Sequence, residues 1–206
     1  MSDLSSASSP VVKPRQPLAS TLWPGRSDAG SNILRGIILI LVGTALLAIS
    51  AKINLPLPYV PMTLQTLVVL VIGAIYGPRL GAATLVAYLA EGAIGLPVFA
   101  GPMGGLAPLM GPTAGYLVAF IAAAFIAGVL SERGWDRSAL LLFAAMTIGH
   151  AVILSGGFVW LAFGVKLGVA KAWFVGVAPF IAGSIVKSAL GAAMIFALRG
   201  AVKRNS

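Results

Sequence analysis

The sequence predicts an all-α integral membrane protein with six transmembrane helices and both termini in the cytoplasm. Hydrophobic residues make up 59% of the 206-residue chain and charged residues only 9%, whereas soluble domains carry about 25% charged residues. Apolar runs of bilayer-spanning length follow one another, separated by short breaks. Lys and Arg punctuate these runs instead of clustering on a polar domain, so the net charge of +9 does not indicate a nucleic-acid partner.

The N-terminal part of the chain differs in composition from the rest. Residues 1–32 are rich in Ser and Pro, carry Lys13, Arg15 and Arg26, and lack apolar periodicity. This composition predicts a disordered cytoplasmic tail. A cleaved signal peptide fits less well, because the polar lead-in is long and five further apolar segments follow. We therefore predict a transmembrane domain at residues 33–200 and a short basic C-terminal tail at residues 201–206.

Six apolar segments divide this domain. The predicted spans are 33–51, 62–76, 80–96, 113–131, 138–163 and 172–198. The second span follows Pro56, Pro58 and Pro61, which predict a structured but non-helical entry because proline breaks helix hydrogen bonding. The polar stretch at 131–137 predicts an aqueous loop.

The distribution of Lys and Arg predicts the orientation. The residues predicted to be cytoplasmic are Lys13, Arg15, Arg26, Arg35, Arg79, Arg133, Arg137, Arg199, Lys203 and Arg204, against Lys52, Lys166 and Lys171 outside. Ten basic residues are thus predicted inside and three outside, as expected for a chain with its N-terminus inside and an even number of spans. The irregular connections near 52–61, 97–112 and 164–171 then share the outer face, which predicts a cavity that opens to the outside.

One of these connections has an unusual composition. Residues 91–116 contain seven glycines and four prolines but almost no polar side chains. Irregular backbone at membrane depth must be buried in protein or line a cavity, because lipid cannot satisfy its polar groups. Interrupted hydrophobic segments of this kind mark substrate sites in transporters. We predict that this segment forms a wall and lid of a binding cavity.

Charged residues near the apolar core are candidate ligand contacts. Lys187 lies in the middle of the last span, where a charge costs about 2.5–3.5 kcal/mol on insertion scales. It either contacts a ligand or snorkels to the outer interface. Glu91, at the end of the third span, either binds a ligand amide, pairs with Lys187 or lies at the interface. We assign Lys52 to the interface and His150 to packing within the fifth span.

Neutral side chains complete the candidate site. Gln65 begins the second span, and its amide suits recognition of an amide or urea group. Thr63 beside it is a candidate helix cap. Tyr88, Phe99 and Tyr116 supply flat apolar surface that serves either packing or a ligand. Tyr59 and Trp160 have the same two interpretations.

Several short motifs occur in an order and spacing that match a known family. They are VPMTLQT at 60–66, GPRLG at 77–81, GLPVFAG at 95–101, GGL at 104–106 and GPTAGY at 111–116. From about residue 35 to 200 the chain closely resembles the BioY family, which contains the biotin-binding S components of energy-coupling-factor (ECF) vitamin transporters. The resemblance implies the six-helix fold of an ECF S component, with biotin held near the outer face of the bacterial inner membrane.

The resemblance also implies which residues bind biotin. The Gln of the family's TLQ motif corresponds to Gln65. The family pattern PFxxGDxxK corresponds to residues 179–187, in which Lys187 is kept and Ser184 replaces the Asp. Because Ser184 cannot balance the charge of Lys187, another anion is required, either the biotin carboxylate or Glu91. The substrate-binding residues that we predict are Gln65, Tyr88, Glu91, Phe99, Tyr116, Ser184 and Lys187.

The resemblance implies an energising partner as well. The chain has no GxxxxGK[ST] motif, so the resemblance points to a transmembrane coupling protein and two ATPase subunits. Small residues of the first span suit either partner docking or internal packing. They are Gly36, Gly43, Thr44, Ala48 and Ala51. We expect no cofactor.

Two other functions are alternatives to biotin uptake. An intramembrane enzyme is disfavoured because the sequence has no HExxH motif, no cysteine and no paired intramembrane carboxylates. The alternative that remains is an ion- or proton-coupled secondary transporter of a small carboxylated solute, with Glu91 and Lys187 as the coupling groups.

Overall fold

The computed structural model describes residues 16–25, 28–101 and 104–204, which are helical apart from one small hairpin and the connections. The helices are α1 (Leu18–Leu22), α2 (Ala29–Lys52), α3 (Gln65–Tyr76), α4 (Pro78–Ala93), α5 (Ala107–Met110), α6 (Ala114–Glu132), α7 (Ala139–Val159), α8 (Val169–Gly176) and α9 (Ala178–Arg204). A 3₁₀ turn at Trp135–Arg137 precedes α7, and a π-helical turn at Trp160–Gly164 extends it.

Four of these helices have the length and apolar composition of a membrane span. They are Ala29–Lys52, Ala114–Glu132, Ala139–Gly164 and Ala178–Val202. The second and third predicted spans correspond to α3 and α4, which are shorter, at 12 and 16 residues. Gly77, with a φ of 83°, makes the tight turn between them, and Pro78 starts α4 where a missing N–H costs nothing.

Helix α6 lies at the centre of the bundle and packs against α3, α4 and α7. Small residues allow the backbones to approach closely, as is usual between membrane helices. A Cβ on Gly73 of α3 would lie 2.3 Å from the Ala124 carbonyl oxygen, and one on Gly128 would lie 2.4 Å from the Pro78 nitrogen. The glycines of α3 and α6 therefore set the spacing of the central helices.

The N-terminal segment is more ordered than the sequence predicts. Within the region predicted as a tail, α1 buries Leu18 and Ala19 against the bundle, and the Arg35 guanidinium donates a 2.8 Å hydrogen bond to the Ala19 carbonyl. Helix α2 begins at Ala29 instead of residue 33, because the Asp28 carboxylate caps it by accepting from the Ser31 N–H at 2.9 Å. Residues 1–15 of the predicted tail lie outside the described residues.

The last predicted span, 172–198, is two helices in the structure. Helix α8 ends at Gly176, and α9 begins at Ala178 after a break at Val177. Gly176 is required because a Cβ there would lie 2.4 Å from Leu161 and 2.6 Å from the Tyr116 hydroxyl. Helix α9 then runs to Arg204, through most of the segment predicted as a C-terminal tail.

The predicted aqueous loop at 131–137 contains a buried carboxylate. Asp136 is fully buried, forms an ion pair with Arg199 of α9 and accepts a 3.1 Å hydrogen bond from the Ser131 hydroxyl. The sequence gives no sign of this pair because its two members are far apart in the chain. The loop therefore fastens the connection between α6 and α7 to the end of α9.

The other end of the bundle, which we call the hairpin end, carries the irregular connections. The strands β1 (Asn54–Leu55) and β2 (Met62–Thr63) pair antiparallel, with Asn54 opposite Thr63. This hairpin confirms the non-helical entry to the second span. The Gly- and Pro-rich segment also lies here, with α5 as the helix within its described part.

Candidate functional site

A cavity of about 270 Å³ opens at the hairpin end. Residues from the hairpin, α3, α6, α7, α9 and the Gly- and Pro-rich segment line it, and most of the lining is apolar. Its polar or amphipathic lining residues are Thr63, Gln65, Thr66, Thr113, Tyr116, His150, Ser184 and Lys187. Its apolar lining includes Val60, Phe99, Leu117, Phe120, Ile153, Leu154 and Phe180. Apolar walls with few polar groups are typical of small-molecule sites.

Lys187 is the one charged residue among the described residues that line the cavity. Its ammonium donates to the Thr63 carbonyl at 2.6 Å and to the Thr66 hydroxyl at 3.2 Å. An ammonium has three N–H donors, so one donor is left for a ligand. Lys187 is thus held by neutral oxygens instead of a carboxylate, and the cavity keeps a positive charge.

A hydrogen-bonded chain leads from Lys187 into the core. The Thr66 hydroxyl accepts from Lys187 and lies 3.2 Å from Nε2 of His150. Nδ1 of His150 lies 3.0 Å from both the Met146 carbonyl and the Ser188 hydroxyl. Because the Met146 carbonyl can only accept, Nδ1 carries the proton, and Nε2 then accepts from Thr66. The chain joins α3, α7 and α9 and holds the Lys187 side chain at the cavity wall.

Gln65 is positioned by a second set of hydrogen bonds. Its amide Nε2 donates to the Tyr88 hydroxyl at 2.6 Å, and that hydroxyl donates to the Val98 carbonyl at 2.7 Å. Gln65 lines the cavity, and its side-chain oxygen makes no hydrogen bond with the described residues. Thr63 contributes to the same helix start, since its hydroxyl accepts from the Gln65 N–H at 3.3 Å.

The aromatic walls depend on glycines behind them. The Phe99 ring packs edge-on against Tyr88, with 5.5 Å between ring centroids. A Cβ on Gly92 would lie 2.1 Å from the Phe99 ring. A Cβ on Gly157 would likewise lie 2.1 Å from the Tyr116 ring. Glycine at positions 92 and 157 therefore makes room for the two rings.

Hydrogen bonds also orient the side chains beside these rings. The Tyr116 hydroxyl donates to the Gly176 carbonyl at 2.6 Å, at the break between α8 and α9. The indole N–H of Trp160 donates to the Gly111 carbonyl at 2.9 Å, which ties the end of α7 to the Gly- and Pro-rich segment. Ser184 faces the cavity one helical turn from Lys187, and its hydroxyl makes no hydrogen bond with the described residues.

The comparisons with known proteins agree with this architecture. The sequence model of the BioY family matches residues 19–204. The chain belongs to the BioY family. Its relatives include the probable biotin transporter BioY of Pyrococcus horikoshii, 40% identical over 79% of this chain and 94% of the relative. The biotin transporter BioY of Thermotoga maritima is 38% identical over 76% of this chain and 89% of the relative.

A solved member of the same class shares the fold. The S component for biotin from an ECF-type ABC transporter superposes with a TM-score of 0.74 and 25% identity, covering 84% of this chain and 95% of that one. The mostly helical architecture described above is therefore that of an ECF S component.

Five of the residues that the sequence nominated for the BioY-family site line the cavity. They are Gln65, Phe99, Tyr116, Ser184 and Lys187. Tyr88 and Glu91 do not line it. Tyr88 lies behind the wall, where it supports Gln65 and Val98. No ion pair joins Glu91 to Lys187 in the part of the chain that the structure describes.

Thr66, His150 and Phe180 are among the lining residues that the sequence did not nominate. Thr66 follows Gln65 directly, so its place in the TLQT motif was the available signal. His150 was assigned to packing, and it both packs and lines the cavity. Phe180 belongs to the start of α9, which the sequence did not separate from α8.

Proposed function

We propose that this chain binds biotin in the cavity at the hairpin end and serves as the substrate-binding S component of an ECF-type ABC transporter. One observation carries the proposal: among the described residues, the wall of a mainly apolar cavity carries one ammonium, one side-chain amide and several hydroxyls. Together with membership of the BioY family, this arrangement makes the chain a transport protein and not an enzyme.

The lining groups match the chemistry of biotin. The free donor of Lys187 suits the carboxylate, and none of the described residues that line the cavity is acidic, so none repels it. Gln65 and Ser184 offer an amide oxygen and a hydroxyl to the ureido ring. Phe99, Tyr116 and their apolar neighbours suit the thioether ring and the aliphatic tail.

The proposed topology has six membrane helices, with both termini in the cytoplasm of a cell whose inner membrane holds the chain. Helices α3 and α4 are then short spans, which the bundle tolerates because both pack on α6. The bias of Lys and Arg favours this orientation. The hairpin end, with its cavity, faces outward.

The proposed partners are a transmembrane coupling protein and ATPase subunits. The chain itself has no P-loop motif, and the similar solved structure is an S component of an ABC transporter. The ion-coupled alternative required Glu91 and Lys187 to act together, and the position of Glu91 outside the cavity lining does not favour it.

Equilibrium binding of labelled biotin to the purified chain tests the proposal. We expect a submicromolar dissociation constant, competition by dethiobiotin and no competition by thiamine or riboflavin. Weaker binding, or displacement by thiamine or riboflavin, would refute biotin as the ligand. For transport, uptake in cells should fail on ATP depletion and survive collapse of the proton gradient.

A further inference from the structure

We propose that Lys52 is a positioning residue for ligand binding: its ammonium holds residues 99–101 in place as one wall of the cavity and so slows ligand exchange. The proposal rests on the proposed function for the identity of the ligand. It extends that function to a residue that does not line the cavity and that the sequence assigned to the membrane interface.

The geometry of Lys52 carries the proposal. Lys52 is the last residue of α2, and its Nζ donates to the Phe99 carbonyl at 2.7 Å and to the Gly101 carbonyl at 2.9 Å. Phe99, Ala100 and Gly101 all line the cavity. One side chain therefore bridges both ends of a three-residue wall, through two hydrogen bonds strengthened by its charge.

Other contacts fix the flanks of this wall but not its carbonyls. The Tyr88 hydroxyl holds the Val98 carbonyl at 2.7 Å, and the Gly105 N–H donates to the Gly92 carbonyl at 2.7 Å. Among the hydrogen bonds of the described residues, those to the Phe99 and Gly101 carbonyls come from Lys52 alone. Loss of the ammonium would therefore loosen the wall while leaving its flanks attached.

The position of Lys52 separates this role from a role in folding. Lys52 is exposed, so its replacement removes no buried packing. The end of α2 also favours a cation, because the helix dipole places partial negative charge there. No ion pair joins Lys52 to an acidic residue in the ranges that the structure describes. Removing the ammonium thus affects chiefly the two carbonyls that it holds.

The first test measures how fast labelled biotin leaves the full-length chain in lipid nanodiscs. We expect Lys52→Met to release biotin roughly tenfold faster, the effect of losing a charge-assisted hydrogen bond at an accessible site, with an unchanged number of binding sites. Lys52→Arg keeps the charge and the donors and should restore slow release. A reduced number of sites in Lys52→Met, or no rescue by Lys52→Arg, would overturn the positioning role.

A matched control is available at the same end of the bundle. Lys166 is exposed and has a φ of 59°, a conformation that Asn tolerates well. Lys166→Asn therefore removes one basic charge without backbone strain and should leave the release rate unchanged. Equal acceleration in Lys166→Asn and Lys52→Met would attribute the effect to net charge and overturn the proposal.

A second test needs no ligand. The chain has no cysteine, so Ala100→Cys places a single thiol in the wall. A neutral maleimide should modify it several-fold faster when Lys52→Met is added, and no faster when Lys166→Asn is added. Unchanged reactivity would overturn the proposal. If the wild-type chain fails to bind biotin, the proposed function fails, and the thiol still reports whether Lys52 holds the wall.

Discussion

At the scale of single residues, the site depends on a cation that is held by neutral oxygens. Lys187 donates to a carbonyl and a hydroxyl, and Ser184 stands one turn away where the family pattern has an Asp. The charge of the cavity is therefore not cancelled within the cavity lining. An anionic ligand gains from this charge, whereas a neutral analogue of the same shape does not.

We expect Lys187→Ala to abolish high-affinity biotin binding and uptake. Losing a hydrogen bond to a charged group weakens the binding free energy by about 1.5–3 kcal/mol. This raises the dissociation constant roughly 10- to 150-fold. Biotinamide, which lacks the carboxylate charge, should bind the wild-type chain and the variant with similar affinities. Wild-type uptake of biotin by Lys187→Ala at matched expression would contradict the assignment.

The buried end of the same hydrogen-bonded chain predicts an effect on stability. His150→Phe leaves the Ser188 hydroxyl and the Thr66 hydroxyl without their shared partner. We expect this to lower the free energy of unfolding by about 1–3 kcal/mol. A lower unfolding temperature in detergent would show it. Thr147→Ala is the control on the same helix, because its exposed hydroxyl bonds only the Phe143 carbonyl; an equal fall in both variants would contradict the prediction.

At the scale of helices, backbone proximity around α6 sets the arrangement of the bundle. Glycines on α3 and α6 meet backbone atoms of their neighbours, and α4 starts against Gly128. These contacts hold α3, α4 and α6 close together at the end of the bundle opposite the cavity. The break between α8 and α9 also shapes the cavity wall, because the Gly176 carbonyl there accepts from the Tyr116 hydroxyl and orients that ring.

Gly73→Ala should therefore destabilise the protein. Its Cβ would lie 2.3 Å from the Ala124 carbonyl oxygen, so α3 and α6 must separate, and such overpacking costs about 1–3 kcal/mol. Gly36→Ala on α2 is the matched control, since its Cβ would meet no atom within 4 Å. Thermal unfolding of both variants tests this, and equal stability of the two would show that the contact is not limiting.

At the scale of the whole molecule, the two ends of the bundle differ. One end carries the hairpin, the Gly- and Pro-rich segment and the cavity. The other carries α1, the ion pair between the buried Asp136 and Arg199, and the Gly77 turn. The ion pair joins the connection between α6 and α7 to α9, away from the cavity. One end of the bundle thus holds the cavity, and the other holds the ion pair that links its helices.

Single cysteines test which end faces outward. Leu106 is 60% exposed at the hairpin end, and Arg133 is exposed at the opposite end. In intact cells, Leu106→Cys should react with a membrane-impermeant thiol reagent and Arg133→Cys only after permeabilisation. The reverse pattern would invert the proposed topology.

Part of the site was predictable because its signals are local. Gln65 and Lys187 stand out as polar residues in apolar spans, and Ser184 shares a helix face with Lys187. Tyr88 does not line the cavity, and a tyrosine in a span gives no sign of whether its hydroxyl meets a ligand or, as in this structure, the Val98 carbonyl. Thr66 and His150 needed the packing of α3 against α7 to become neighbours.

The membrane character of the chain, the positions of its long helices and the grouping of its irregular segments at one end can be predicted from the amino-acid sequence. Those properties follow from composition and from charges read along the chain. Three-dimensional packing was needed to show that Asp136 is buried and paired with Arg199, that α8 and α9 are separate, and that Lys52 bonds the carbonyls of Phe99 and Gly101. Each of these is a contact between distant residues, whose energy depends on a geometry that no local pattern records.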